Sequence, residues 1–307
     1  MLPINQEARI ETCTYCNLKC IFCPHPTTFT RRKEIMPLEK FKFIVDKIKY
    51  EAPHIKHCTI SGFGDAFVDP GILDKIEYAT KQGFKIHILS NGSLVTKEQI
   101  LKMFCDFEVE DYRISLHTLN LKHFKKITGG SKKDFYNTIE NLEFAIKNKN
   151  KTKITITTVV IDINKNDWQE IVEEYENRVD LIEVWKPHNW ITGKSYRKGP
   201  ITKTTCGRPF NGPLQIQVDG TINMCCFDYN GELLLGDFTK QSLNDIFNSE
   251  AYIKIRKWHE KQEKDESLLC FKCDQLIKFN PVIFNSKFLP EDRINRTSTI
   301  YHKLTGE

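Results

Sequence analysis

Residues 12–24 read Thr12-Cys13-Thr14-Tyr15-Cys16-Asn17-Leu18-Lys19-Cys20-Ile21-Phe22-Cys23-Pro24, and the rest of the chain is organised around them. Cys16, Cys20 and Cys23 form C-x3-C-x2-C directly after a short strand-like run over residues 8–12. Three thiolates on one tight loop can hold three corners of a cubane iron–sulfur cluster and leave the fourth iron without a protein ligand. A cluster that only braces the fold or carries electrons normally takes four cysteines, so the missing fourth is informative. A zinc knuckle or three unrelated buried thiols are the competing readings. The position of the motif, after a strand and ahead of a long βα pattern, weighs against both.

Outward from that loop the apolar spacing alternates between two periods. Leu38, Phe41, Ile44, Val45 and Ile48 recur at helical spacing over residues 37–50, with Pro37 suited to the first turn. Residues 56–61 read as a strand, and Gly62-Phe63-Gly64-Asp65 as a flexible loop. A helix runs from Asp69-Pro70 to Gln82 and stops at Gly83. Strands follow at 84–89, 112–116, 154–161 and 181–186, and helices at 96–105, 134–147 and 168–175. Strands separated by helices imply right-handed βαβ crossovers and a parallel sheet, an α/β class with ligands at the carboxyl ends of the strands. The count alone does not separate an incompletely closed barrel from a doubly wound sheet.

At 307 residues there is room for one large or two ordinary domains, and 40% hydrophobic with 28% charged residues is a globular balance. No apolar run reaches spanning length, and residues 1–11 lack the apolar core of a signal peptide. A cytoplasmic protein with no membrane partner is the expectation. Eleven cysteines, an odd number without an export signal, suit metal-bound thiolates in a reducing compartment. The net charge of +5 is small, and the lysines of residues 147–153 read as a solvated loop, so no nucleic-acid partner is expected.

A second group of cysteines lies beyond a stretch without periodicity, 187–205, read as a linker across the mouth of the sheet. Residues 214–218 and 221–225 flank Asp219-Gly220, a two-residue hairpin signal that sets Cys225 opposite Leu214. Strand parity then puts Cys226 with Ile222 and Met224 on the apolar face and makes Cys225 the ligand candidate. Short helical runs at 242–247 and 250–259 precede Cys270-Phe271-Lys272-Cys273. Cys206, Cys225, Cys270 and Cys273 could close around one metal centre, and zinc is the competing occupant on chemistry alone. Cys13, Cys58 and Cys105 are expected to be buried small hydrophobes without a ligand role.

The C-x3-C-x2-C spacing, with aromatic Phe22 before the last cysteine, resembles the signature of the radical S-adenosylmethionine (radical SAM) enzymes. That resemblance implies a partial (β/α)6 TIM-like barrel. It also implies a [4Fe-4S] cluster on Cys16, Cys20 and Cys23 whose open iron chelates S-adenosylmethionine. Reductive cleavage then gives a 5′-deoxyadenosyl radical that abstracts a substrate hydrogen. Gly64 and Asp65 sit where the family usually has Gly-Gly-Glu, which binds the methionine amino group. Asn91, Ser115 and His117, at the ends of the third and fourth strands, fall where the family places ribose and carboxylate contacts. Val159 and Ile161 match positions packed against adenine. The stretch Ile127-Thr128-Gly129-Gly130 looks like a family loop to which no chemistry is assigned.

The second cysteine group resembles the twitch module, the shortened relative of the SPASM domain, which holds one auxiliary [4Fe-4S] cluster. The implied division is a core over 1–200 and a small α+β twitch/SPASM-like domain over 201–307, with 276–307 given no role. The layout is similar to that of the 2-deoxy-scyllo-inosamine dehydrogenases. It implies an oxidoreductase acting on a small polar, sugar- or aminocyclitol-like substrate, with the auxiliary cluster as electron acceptor. The alternatives are a peptide-modifying maturase of the same family and, from another class, a zinc-stabilised RNA- or protein-binding module. The cluster loop begins by residue 13, leaving no room ahead of it for a leader-binding domain, which favours a small molecule over a peptide. Lys186, His188 and Arg208 are the candidates for the catalytic base, and a flavodoxin or ferredoxin is the expected reductant.

Overall fold

The computed structural model describes residues 4–190, 195–261, 265–277 and 282–285. Most of the 276–307 tail and part of the 187–205 linker therefore lie outside the described residues. Strands β1 (Ile4–Ile10), β2 (His57–Ile60), β3 (Lys85–Ser90), β4 (Asp111–Ser115), β5 (Lys153–Val159) and β6 (Leu181–Trp185) pair in sequence order, every pair parallel. Between them run helices α1 (Leu38–Glu51), α2 (Ile72–Lys81), α3 (Lys97–Leu101), α4 (Leu121–Thr128), α5 (Lys132–Asn148) and α6 (Asp167–Tyr175). The alternation is a (β/α)6 partial barrel, as the resemblance to the radical SAM enzymes implies.

Strand parity divides the barrel into two faces. Ile10, Ile60, Ile88, Ile114, Ile156 and Val184, one per strand, join the core cluster with Phe41, Ile44 and Ile48 of α1 and Ile72 and Ile76 of α2. Each is an even-numbered position on its strand. The odd positions face the other way and are largely polar: Glu7, Thr59, His87, Asp111, Thr155 and Glu183 are all buried.

Two differences from the sequence reading concern the helices. The connection from β4 to β5 holds two helices rather than one, because Asn120 caps α4 by accepting from the Lys122 and His123 amides while Ser131 starts α5 with a capping box to Asp134. The expected 96–105 helix stops its α geometry at Leu101 and continues as a π-turn, Lys102–Asp106. That turn leaves Cys105 exposed rather than buried. Cys13 and Cys58 are buried as expected.

The C-terminal part adds α7 (Arg208–Asn211), β7 (Gly212–Ile216), β8 (Thr221–Asn223), β9 (Leu234–Asp237), α8 (Leu243–Phe247), α9 (Glu250–Lys261) and β10 (Val282–Asn285). Its strands continue the barrel sheet: β7 pairs parallel with β1 and β10 antiparallel with β6, in the order β10-β6-β5-β4-β3-β2-β1-β7-β8-β9. The β7–β8 turn has three residues, not two. The Gln217 amide donates to the Thr221 carbonyl at 2.8 Å, and Gln215 pairs with Asn223. Gly220, at φ +96°, takes the left-handed position that such a loop needs. The register is therefore one residue away from the expected pairing of Cys225 with Leu214. β8 ends at Asn223, so the alternation that assigned Cys226 to the core does not extend that far. Cys226 is only half-buried, and its sulfur lies close enough to Arg9 and Arg208 to act on both charges.

Candidate functional site

The loop carrying Cys16, Cys20 and Cys23 leaves the carboxyl end of β1 and is held from two sides. Lys19 and Ile21 donate their amides to the carbonyls of Thr128 and Ile127, at 2.7 and 2.9 Å. The stretch 127–130 at the end of α4 is thus a clamp on the cysteine loop. On the other side, the Asp65 amide donates to the Tyr15 carbonyl at 2.8 Å. A Cβ on Gly64 would meet the carbonyl oxygens of Cys13 and Tyr15 at 2.4 and 2.5 Å, so only glycine admits this approach. Desolvation pushes the Cys16 thiol up to about 12 and raises Cys20 as well. The three thiols are half-buried on one loop, and a set of three soft sulfur donors within eight residues fits a cluster.

The strand-end residues form a second layer around the loop. Asp65 is buried, and its carboxylate accepts from the amides of Phe67 (3.0 Å) and Asn91 (2.7 Å) and from the Ser90 hydroxyl (3.0 Å). Burial raises its pKa against the pull of those donors. The side chain ties the β2 loop to the end of β3; the contacts it makes are with the protein's own donors. Asn91 in turn donates to Asn17 of the cysteine loop at 2.9 Å. His117 is buried after β4, with its ring edge-on to Phe22 at 5.0 Å and Nδ1 accepting from the Val159 amide at 3.0 Å. Desolvation lowers its pKa to about 4, so the ring is neutral. Val159 and Ile161 are half-buried beside it, and Asn164 bonds to the main chain of both. Ser115 sits at the end of β4 opposite Thr157. Phe22, Asn91, His117 and Val159 are therefore brought to one end of the barrel.

Sequence reasoning missed three features. The first is an ion pair on a buried carboxylate: half-buried Arg31 forks onto Glu11 through Nη1 and Nη2 at 2.7 and 2.8 Å. Glu11 also accepts from the amides of Phe63 and Val218, and Arg31 Nε donates to the Tyr229 carbonyl. Cysteine loop, β2 loop and C-terminal part meet at this point. The second is an aromatic cluster over the barrel mouth, where Phe63 touches Phe29, Trp190 and Tyr229. Trp190 holds a positive φ of 56°, and its Nε1 donates to the Phe22 carbonyl at 2.8 Å. A bulky residue in that backbone region is rare and over-determined by its surroundings. The third is the concave face of the barrel. Arg113 binds Asp111 through Nε (2.7 Å) and Glu183 through Nη1 (3.0 Å), and Arg9 binds Glu7 through Nε (2.9 Å). Burial opposes the Arg113 charge, but Glu183 and Asp111 outweigh it and hold its pKa up. Charged residues at alternate positions of successive strands were the available signal.

The second set of thiols also converges. Cys206, Cys225, Cys270 and Cys273 line one cavity together with Arg208, Met224, Phe227 and His259. Desolvation raises the thiols of Cys225 and Cys270 and pushes Cys273 up to about 12. Burial works against the Arg208 charge, yet the sulfurs of Cys226, Cys206, Cys225 and Cys273 hold it up. Its guanidinium lies over the Phe227 ring at 4.7 Å. A permanent cation at this spot offsets the negative charge of a tetrathiolate cluster and is no proton acceptor. His188 stacks on Phe227 at 4.3 Å, with Nδ1 3.2 Å from the Gln275 amide and 3.7 Å from Asp274. Lys186 is exposed. Among the described residues no three His, Cys, Asp or Glu side chains close around a single ion. A cubane spreads its thiolates wider than mononuclear zinc does.

Comparison with known proteins decides between these occupants. The model of the radical SAM superfamily matches residues 10–175, more than half of the chain. The chain belongs to the radical SAM superfamily. A second model, an iron–sulfur cluster-binding domain of the SPASM type, matches residues 206–274 and spans all four cysteines of the second cavity. The cofactors are accordingly a [4Fe-4S] cluster with S-adenosylmethionine in the radical SAM core and auxiliary iron–sulfur in the SPASM domain. Zinc is set aside with them. Curated relatives include AlbA, the antilisterial bacteriocin subtilosin biosynthesis protein of Bacillus subtilis. It is 27% identical over 191 residues, 62% of this chain and 40% of AlbA. A probable GTP 3′,8-cyclase of Methanococcus vannielii is 28% identical over 57% of this chain and 56% of its own. The chain spans about half the length of the curated relatives it matches. Among solved structures, SuiB of Streptococcus suis bound to S-adenosylmethionine aligns with TM-score 0.68 at 18% identity, covering 89% of this chain and 72% of SuiB. BtrN, in complex with AdoMet and 2-DOIA, aligns with TM-score 0.60 at 14% identity, covering 88% and 92%. At such identities the likeness is one of fold. No helix among the described residues is long and apolar enough to cross a membrane.

Proposed function

We propose that this radical SAM enzyme is an oxidoreductase for a small polar, sugar- or aminocyclitol-like substrate bound in the barrel. The concave face carries that reading. Glu7, Arg9, Asp111, Arg113 and Glu183 line it in mutual ion pairs, a surface that desolvates hydroxyl, amino or acidic groups at low cost because partners are already in place. Arg9 and Arg113 each anchor Nε to a neighbouring carboxylate, which orients the guanidinium for a substrate oxygen. The aromatic cluster of Phe63, Trp190 and Tyr229 covers the mouth and excludes water. Cys16, Cys20 and Cys23 would hold the first cluster, and Cys206, Cys225, Cys270 and Cys273 the auxiliary one. When bound, these groups supply the hydrogen-abstracting radical and a sink for the electron that the substrate gives up.

Sequence kinship with AlbA supports a second reading, in which a peptide is modified. One experiment separates the two. Sugars and aminocyclitols deuterated at their carbinol carbons are incubated anaerobically with the reduced enzyme and S-adenosylmethionine, in parallel with peptides. Deuterium transfer into 5′-deoxyadenosine from a polar small molecule, with KM raised about tenfold by Arg113→Met, supports the proposal. Transfer from a peptide alone would replace it with the second reading.

A further inference from the structure

Helix α9 buries Tyr252, Ile255, Trp258 and His259, so a histidine lies on the apolar stripe of the helix. His259 is 3% exposed, and among the described residues neither Nδ1 nor Nε2 has a hydrogen-bond partner. A buried histidine is ordinarily satisfied, so one with both nitrogens unpaired needs a reason. It lines the cavity of Cys206, Cys225, Cys270 and Cys273, and desolvation holds its ring neutral. A neutral imidazole carries one N–H and one lone pair. The other side chains there are Arg208 and Gln275, which approach each other at 3.5 Å, and the apolar Pro209, Met224, Phe227, Leu233 and Leu276. Among the described residues that line the cavity, the side-chain acceptors for a ring N–H other than the Gln275 oxygen are sulfurs. Trp258 packs edge-on against the ring at 4.8 Å and fixes its plane.

We propose that His259 donates its ring N–H to a sulfur of the auxiliary cluster and thereby sets that cluster's reduction potential. The inference rests on the reading of the four cysteines as the ligands of one cluster. Hydrogen bonds to cluster sulfurs stabilise the more negative, reduced form, so the donor raises the potential. His259 is a positioning residue in this account: it acts on the electron acceptor and touches no substrate.

The test uses the anaerobically prepared full chain with Cys16, Cys20 and Cys23 all changed to alanine, which leaves the auxiliary cluster alone. A redox titration followed by electron paramagnetic resonance gives its midpoint. His259→Phe should retain the iron and lower the midpoint by an amount worth about tenfold in the equilibrium, about 59 mV for one electron. His259→Gln, which keeps an N–H, should recover part of that shift. Without any change at position 259, the reduced cluster should show a coupled proton that exchanges in deuterium oxide and a coupled nitrogen from labelled histidine. An unchanged midpoint in His259→Phe, or the absence of both couplings, overturns the proposal. Loss of iron with altered g-values in His259→Phe overturns it too, since His259 would then be a ligand. A triple cysteine variant without any iron removes the four-cysteine reading and the proposal together.

Discussion

His117 shows how a single residue at the barrel mouth couples folding stability to pH. Its ring is buried against Phe22 and its Nδ1 is committed to the Val159 amide, so protonation in the folded state must break that bond in a dry setting. Its pKa falls from 6.5 to about 4. The unfolded chain takes up the proton at the higher value and the folded chain at the lower one. The stabilising effect is therefore fully present above pH 6.5 and is lost as pH falls toward 4. By pH 5 the loss should reach about 2 kcal/mol. Urea unfolding at pH 7.5 and pH 5 should show this loss in the wild type and a smaller one in His117→Gln. Equal losses in both would remove His117 as the source. Cys226 makes a different point about single residues. Parity could not place it because β8 ends at Asn223, three residues before it, and its neighbours are two arginines rather than the core.

At the level of elements, the alternation of parallel strands and helices was legible because each strand carries one apolar face and each helix one apolar stripe, and these periods are written in the sequence. That it closes into a partial barrel came from the family resemblance of the cysteine motif. The thiol loop was legible for the same kind of reason, three cysteines being close in sequence. What was not legible depends on long-range contact. The 127–130 stretch clamps the cysteine loop through two main-chain bonds, which leave no mark on side-chain pattern. The β7–β8 turn took three residues rather than two, and β10 joined β6 from the far end of the chain. Gly64 connects sequence to site at this scale. Gly64→Ala would drive a Cβ into two main-chain carbonyls that cannot rotate away, an overpacking that costs about 1–3 kcal/mol. The β2 loop should then lift from the cysteine loop. Iron at the first site should fall while the auxiliary signal stays, as read by iron analysis and electron paramagnetic resonance. Full iron in Gly64→Ala would show that the approach of the two loops does not hold the cluster.

Across the whole molecule the two iron–sulfur regions are joined by strand pairing and by a buried carboxylate. β7 pairs with β1, and Glu11 at the end of β1 gathers Arg31, Phe63 and Val218 into one knot. Removing the Arg31 cation by Arg31→Met leaves the Glu11 carboxylate buried with only amide donors, a change that typically costs about 3–5 kcal/mol. The urea midpoint should fall accordingly, whereas a loss below about 1 kcal/mol would mean that the pair behaves as a surface contact. The central proposal is a division of labour: Cys16, Cys20 and Cys23 serve radical formation, and Cys206, Cys225, Cys270 and Cys273 serve a separate cluster. The most direct test measures 5′-deoxyadenosine formed from S-adenosylmethionine under dithionite, with iron counted on the same samples. Changing Cys16, Cys20 and Cys23 together to alanine should abolish the product, while Cys225→Ala should lose about four irons and still form it. Product from the triple variant, or full iron in Cys225→Ala, would contradict the account.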